Sequence, residues 1–128
     1  MSWNYVRMPE IAGLQTRWTH LSEIGEFGLI TIFLEGHAIT SDNEAGLASG
    51  HNDIELSQAG RSQAAGEKRQ RYESIKIDTV FTYDLRRAYE TAQITFECKN
   101  VPIIQDARLR SWDYGNLTQR SRAEVTVV

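Results

Sequence analysis

Apolar residues run almost unbroken from Gly28 through Leu29, Ile30, Thr31, Ile32 and Phe33 to Leu34, and the run is rich in β-branched and aromatic types. Such a stretch predicts a strand buried on both faces, since a strand with one face in water would alternate. Ile77 to Thr82 predicts a second strand, and Val101 to Ile104 a third, with Pro102 favouring a strand start or an edge. Between the strands the apolar spacing becomes helical. Ser57 can cap a helix over Gln58 to Tyr72, whose Ala59, Ala64 and Ala65 allow close approach to a sheet and leave Lys68, Arg69 and Arg71 outward. Asp84 can cap another that carries Leu85, Ala88, Tyr89, Ala92 and Phe96 at helical spacing. Strand, helix, strand, helix, strand predicts an α/β layered sandwich with right-handed parallel crossovers.

Ahead of this region Pro9 can occupy a first helical turn, and Ile11, Leu14, Trp18, Leu21 and Ile24 follow at spacings of three and four. This predicts an amphipathic helix ending near Gly25. The chain therefore reads as an N-terminal extension, residues 1–27, followed by a domain over residues 28–128. The helix packs on the sheet in the simplest reading; otherwise it covers apolar surface or pairs with another chain.

Chemistry concentrates at two strand ends. His37 follows the first strand, and in open α/β sheets ligands collect outside the carboxyl ends of strands. Arg87 falls in the first turn of the helix after the second strand, where a guanidinium adds to a helix terminus already suited to an anion. Two strands would thus offer a histidine and an arginine to one phosphate-sized group.

Taken in order, the His37 loop, the segment from Gly46 to Ala64, and Val80-Phe81-Thr82-Tyr83-Asp84-Leu85-Arg86-Arg87-Ala88 resemble the histidine phosphatase superfamily, also called phosphoglycerate mutase-like. The resemblance covers residues 28–125. It implies a three-layer α/β/α sandwich with a mostly parallel sheet, in which His37 is the catalytic nucleophile that takes a phosphoryl group as phosphohistidine. It further implies that Asn43 and Arg87 are phosphate-binding.

The chain departs from the family pattern at three places. The family's loop arginine falls on Gly36, and the glutamate that usually serves as general acid falls on Ser111, in Leu109-Arg110-Ser111-Trp112-Asp113-Tyr114-Gly115. A serine cannot supply that proton near neutral pH, and Asp113 is displaced from the vacant position by two residues. The second histidine, from a late strand ending in a His-Gly pair, has no counterpart before Val128, so the C-terminal part of the domain is expected to be lacking. A truncated or frameshifted product of a longer phosphatase would break off in this way after Leu117.

These departures give two expectations. One is a phosphatase-like domain with impaired or lost phosphomonoesterase activity and a residual phosphate pocket; the alternative is an active phosphomonoesterase working through His37, with missing groups supplied by a partner chain. Arg86, Arg108 and Arg110 read as solvated or ion-paired. The residues do not separate a sugar phosphate from a phosphoprotein or a nucleotide as substrate.

Composition narrows the partners. With 128 residues and 41% hydrophobic content the chain can build one core. A net charge of -3 and a pI near 5.6 argue against a nucleic-acid or acidic-membrane surface. The single cysteine, Cys98, leaves no internal disulfide and fits a cytoplasmic location, and the N-terminus lacks a sustained apolar stretch. No cofactor is implied, and no metal: His37, His51 and Asp53 have no ligand spacing, and His20 lies in another segment. Gly46 and Gly50 lack the lysine and hydroxyl residue of a P-loop. The expected partners are phosphate or a phosphate ester and, because three strands leave open edges, a second copy in a homodimer.

Overall fold

A computed structural model of the chain describes residues 5–7, 16–21 and 29–126. The chain divides into two units, Met1–Gly36 and His37–Val128.

The first unit holds an antiparallel sheet in the order β1 (Tyr5–Arg7), β2 (Thr16–Leu21), β3 (Leu29–Leu34). The expected N-terminal helix is corrected here, because Thr16–Leu21 is a strand with Thr16 opposite Leu34 and Leu21 opposite Leu29. The segment is rich in threonine and carries a tryptophan, types that suit a pleated ribbon, and cross-strand pairing outweighs a helical spacing of apolar residues. The rest of that predicted helix, residues 9–15 and 22–25, lies outside the described residues. Burial of β3 is also corrected. Ile30, Ile32 and Leu34, which share one face, are 55%, 49% and 58% exposed, and β3 pairs antiparallel with β2.

The second unit is α/β. It runs through α1 (Ser41–Ala45), α2 (Gln58–Gln63), a π-helical segment (Ala64–Lys68), α3 (Arg69–Tyr72), β4 (Val80–Thr82), α4 (Arg86–Phe96), β5 (Ile103–Gln105), two single 3-10 turns and α5 (Arg122–Thr126). Parallel β4 and β5 join through α4, with Val80 opposite Ile103 and Thr82 opposite Gln105. Pro102 stands at the strand start, as its ring requires, and its carbonyl accepts the Val80 N–H at 2.9 Å.

Helix starts follow local chemistry with one exception. Ser57 caps α2 by accepting the Gly60 N–H at 3.1 Å, as expected. Asp84 does not cap α4: the cap position is Leu85, and Asp53, distant in sequence, accepts the Arg86 N–H at 2.6 Å. The Asp84 carboxylate is taken instead by a two-pronged bond from Arg110, both contacts 2.6 Å. Arg86 and Arg108 are ion-paired as well, with Glu55 and Asp106.

The core is small-residue packing. Ala38, Leu56 and Ala64 form its buried centre with Ile94 against it; burying Leu56 fully contributes about 1.5–3 kcal/mol. Gly60 is obligatory, because a Cβ there would lie 1.8 Å from the Ile39 carbonyl oxygen. Lys68, expected outward, is buried at 6% exposure. It ends the π-helical segment, whose extra residue per turn swings the following positions around the helix axis.

Candidate phosphate site around His37

His37 opens the second unit in a segment without regular secondary structure, and Ala38 after it is fully buried. Its Nδ1 lies 2.7 Å from the Ala38 carbonyl oxygen. A carbonyl only accepts, so Nδ1 carries the proton in the neutral ring and Nε2 keeps its lone pair. Burial pushes the imidazole below its ordinary pKa; the carbonyl bond opposes this, and the charges of Arg87, Lys68 and Arg122 add to the lowering. The lowering favours the neutral ring.

Asn43 sits in α1 and is fixed by a reciprocal cap. Its N–H donates to Thr40 Oγ1 at 3.1 Å, and its Oδ1 accepts the Thr40 N–H at 3.0 Å. With Oδ1 engaged, the side-chain amide nitrogen is the group left to donate.

Arg87 is 4% exposed and lies on the inner face of α4. One terminal nitrogen donates to the Asn52 carbonyl and the other to the Gly50 carbonyl, both at 2.8 Å, and the Tyr83 ring centre lies 5.5 Å from the guanidinium carbon. Its Nε is buried without a hydrogen-bond partner, and no carboxylate pairs with it among the described residues. A buried cation without a counter-ion is costly, and an anion arriving beside it relieves that cost.

Thr91 joins the loop to the helix. Its Oγ1 accepts the Ala38 N–H at 2.9 Å and donates to the Arg87 carbonyl at 2.5 Å. The sequence placed His37, Asn43 and Arg87 near one another but missed Thr91, Lys68 and Arg122. Thr91 stands four residues after Arg87, one helical turn on, and that spacing was a usable signal. Lys68 was hidden by the π-helical segment, and Arg122 by the length of chain between it and the loop.

The vacant acid position is occupied differently. Ser111 is exposed, and its carbonyl accepts from His51 Nε2 at 2.9 Å. The nearby Asp113 carboxylate accepts the Gly115 N–H at 3.0 Å and so holds its own turn. Among the described residues no three histidine, cysteine or acidic side chains gather as a metal site, and no helix is long and apolar enough to cross a membrane.

Comparison with known proteins decides the lineage. The model of the histidine phosphatase superfamily (branch 1) matches residues 32–127. The chain belongs to that superfamily. It is 38% identical over 82 residues to phosphoglycerate mutase-like protein 4 of Arabidopsis thaliana, covering 63% of this chain and 36% of that protein. It is 32% identical over 100 residues to a 2,3-bisphosphoglycerate-dependent phosphoglycerate mutase of Streptococcus mutans, covering 75% and 44%. Among solved structures, a mycobacterial glucosyl-3-phosphoglycerate phosphatase in complex with VO3 superposes with a TM-score of 0.65 at 30% identity, over 71% of this chain and 45% of that one. A phosphoserine phosphatase of Entamoeba histolytica, in complex with 3-phosphoglyceric acid, gives 0.61 at 26% identity, over 70% and 44%. The fold is therefore the phosphoglycerate mutase-like α/β fold, and this chain spans less than half the length of these relatives.

Proposed function

We propose that the chain is a histidine phosphatase-like domain that binds phosphate or a phosphate ester and whose phosphomonoesterase activity is impaired or lost. The observation that carries binding is Arg87, a buried guanidinium held by two carbonyls and lacking a carboxylate, whose charge is felt at His37. His37 Nε2, the Asn43 amide and Arg87 form the pocket, and Arg122 adds positive charge. Relatives solved with VO3 and with 3-phosphoglyceric acid support an anion of this size.

The reading of lost catalysis rests on Gly36 and Ser111. Attack of Nε2 on phosphorus breaks the ester bond and leaves an alkoxide that needs a proton. Ser111 has none to give near pH 7. A general acid contributes roughly 100- to 10,000-fold, and one oxyanion donor about 100- to 1000-fold. The two losses are not additive, yet together they leave little turnover.

One observation favours the alternative, an active phosphomonoesterase with a phosphohistidine at His37. The Nδ1 bond to Ala38 already leaves Nε2 with its lone pair. An aryl phosphate assay with a His37→Ala control separates the two readings: equal background in both proteins supports lost catalysis, whereas turnover that vanishes in the control establishes the enzyme.

The protein acts in the cytoplasm, as its one exposed thiol, Cys98, suits. It does not bind nucleic acid, given its net charge of -3. It forms a homodimer through the β4–β5 pair, whose Phe81 and Ile104, side by side in register, are 63% and 45% exposed.

A further inference from the structure

The segment after the second 3-10 turn is stitched to the loop that carries Asn43. Gln119 N–H donates to the Ala48 carbonyl at 2.7 Å, Ala48 N–H to the Arg120 carbonyl at 2.9 Å, and Arg122 N–H to the Gly46 carbonyl at 2.9 Å. Leu47 and Ser121 form an antiparallel bridge between the same stretches. Within this stitch Gln119 has φ of 65°, the one non-glycine residue with positive φ among the described residues. Left-handed backbone is unfavourable for a residue with a Cβ and persists where its surroundings over-determine it.

The side chain at that position is committed too. Gln119 Nε2 donates to Asp42 Oδ2 at 2.6 Å. Asp42 is 7% exposed and has no cationic partner among the described residues, so a neutral amide alone holds its carboxylate. Asp42 immediately precedes Asn43 in α1, and the α1 end is closed by Gly46, whose own carbonyl belongs to the stitch. Any rotation of this short helix would turn the Asn43 amide away from an anion.

We propose that Gln119 is a positioning residue for the phosphate loop, fastening Asp42 and thereby α1 so that the Asn43 amide faces the anion. This rests on the reading of His37, Asn43 and Arg87 as a phosphate site.

The test is titration of the whole chain with inorganic phosphate, followed through the Asn43 side-chain amide resonance, for the wild type and for Gln119→Ala, Gln119→Gly and Gln119→Lys. Both Ala and Gly remove the bond to Asp42, so both weaken phosphate binding by the same factor, about 3- to 30-fold. They differ in stability: the Gly variant melts higher than the Ala variant, because glycine accepts positive φ without strain. Lys returns a donor to Asp42 and recovers affinity. A merely structural role predicts the opposite coupling, with affinity following melting temperature. Affinity that follows melting temperature, or that is unchanged in all variants, overturns the proposal. If a Gln119 variant fails to fold, Asp42→Asn serves, since its amide oxygen still accepts from Gln119; near wild-type affinity supports the proposal and a large loss overturns it. Absence of phosphate binding by the wild type defeats the site reading itself and this proposal with it, whereas wild-type binding with unaltered variants defeats the positioning role alone.

Discussion

Thr91 holds Ala38 in place by accepting its N–H at 2.9 Å, and the same hydroxyl donates to the Arg87 carbonyl one helical turn earlier. The residue after the histidine and the helix that carries the arginine thus share one oxygen. Replacing Thr91 by valine keeps the shape and leaves the buried Ala38 N–H unpaired. A loss of about 1–3 kcal/mol in chemical denaturation is expected, with Thr91→Ser retaining most of the stability. Equal stability of the valine and threonine proteins would show that the hydroxyl does not hold the loop.

Acid should weaken the fold through His37. Its folded pKa lies below the ordinary histidine value of 6.5, chiefly through burial, so the unfolded chain takes up the proton first as pH falls. The stability from this group is whole above pH 6.5 and is lost as pH drops through the folded pKa. Titration of the His37 ring by nuclear magnetic resonance should give a midpoint below 6.5, and melting temperatures should decline over that window less steeply in His37→Gln. A midpoint above 6.5 contradicts the assigned environment.

Gly60 should tolerate no side chain. The Ile39 carbonyl occupies the space of a Cβ, and α2 cannot move off without breaking the Ser57 cap and the packing around Ala64. Gly60→Ala should cost at least about 1–3 kcal/mol, the range of overpacked cores. Alanine normally stabilises a helix interior relative to glycine, so a stabilised variant would refute the close approach.

Much of this was legible because chemistry-bearing residues sit beside turn signals. Ser57, Pro102 and the run to Phe96 announced their elements through capping, ring geometry and helical spacing, and His37, Asn43 and Arg87 fell into order with them. What was not legible depended on contacts far along the chain. The cap of α4 comes from Asp53, the Asp84 carboxylate goes to Arg110, and Gln119 reaches Asp42. Thr16–Leu21 followed a helical spacing yet pairs as a strand, since a neighbouring strand can satisfy its backbone. Lys68 was misplaced by a π-helical segment that leaves no mark in apolar periodicity.

Self-association should run through Phe81 and Ile104. Light scattering at micromolar concentration should report a dimer, and Phe81→Lys should shift it to monomer while leaving the fold intact. A wild-type monomer under these conditions contradicts the dimer.

Restoring the absent groups tests how much of the catalytic scaffold survives. A Cβ at Gly36 would meet nothing within 4 Å, so Gly36→Arg has room, and Ser111→Glu returns a carboxyl acid. The double variant should raise aryl phosphate turnover by at least about 100-fold over the wild-type background, the lower range for an acid or a donor alone. No gain would mean that Gly36 and Ser111 are not what limits turnover.

The central claim is that a buried, carboxylate-free Arg87 makes an anion site beside a neutral His37. Calorimetric titration with inorganic phosphate at pH 7 measures it most directly, comparing the wild type with Arg87→Met, which keeps the volume and removes the charge. The account predicts saturable binding of one phosphate by the wild type and at least about tenfold weaker binding by the variant, the scale of a charged hydrogen bond. Equal affinity in the two proteins, or no binding by the wild type, would contradict it.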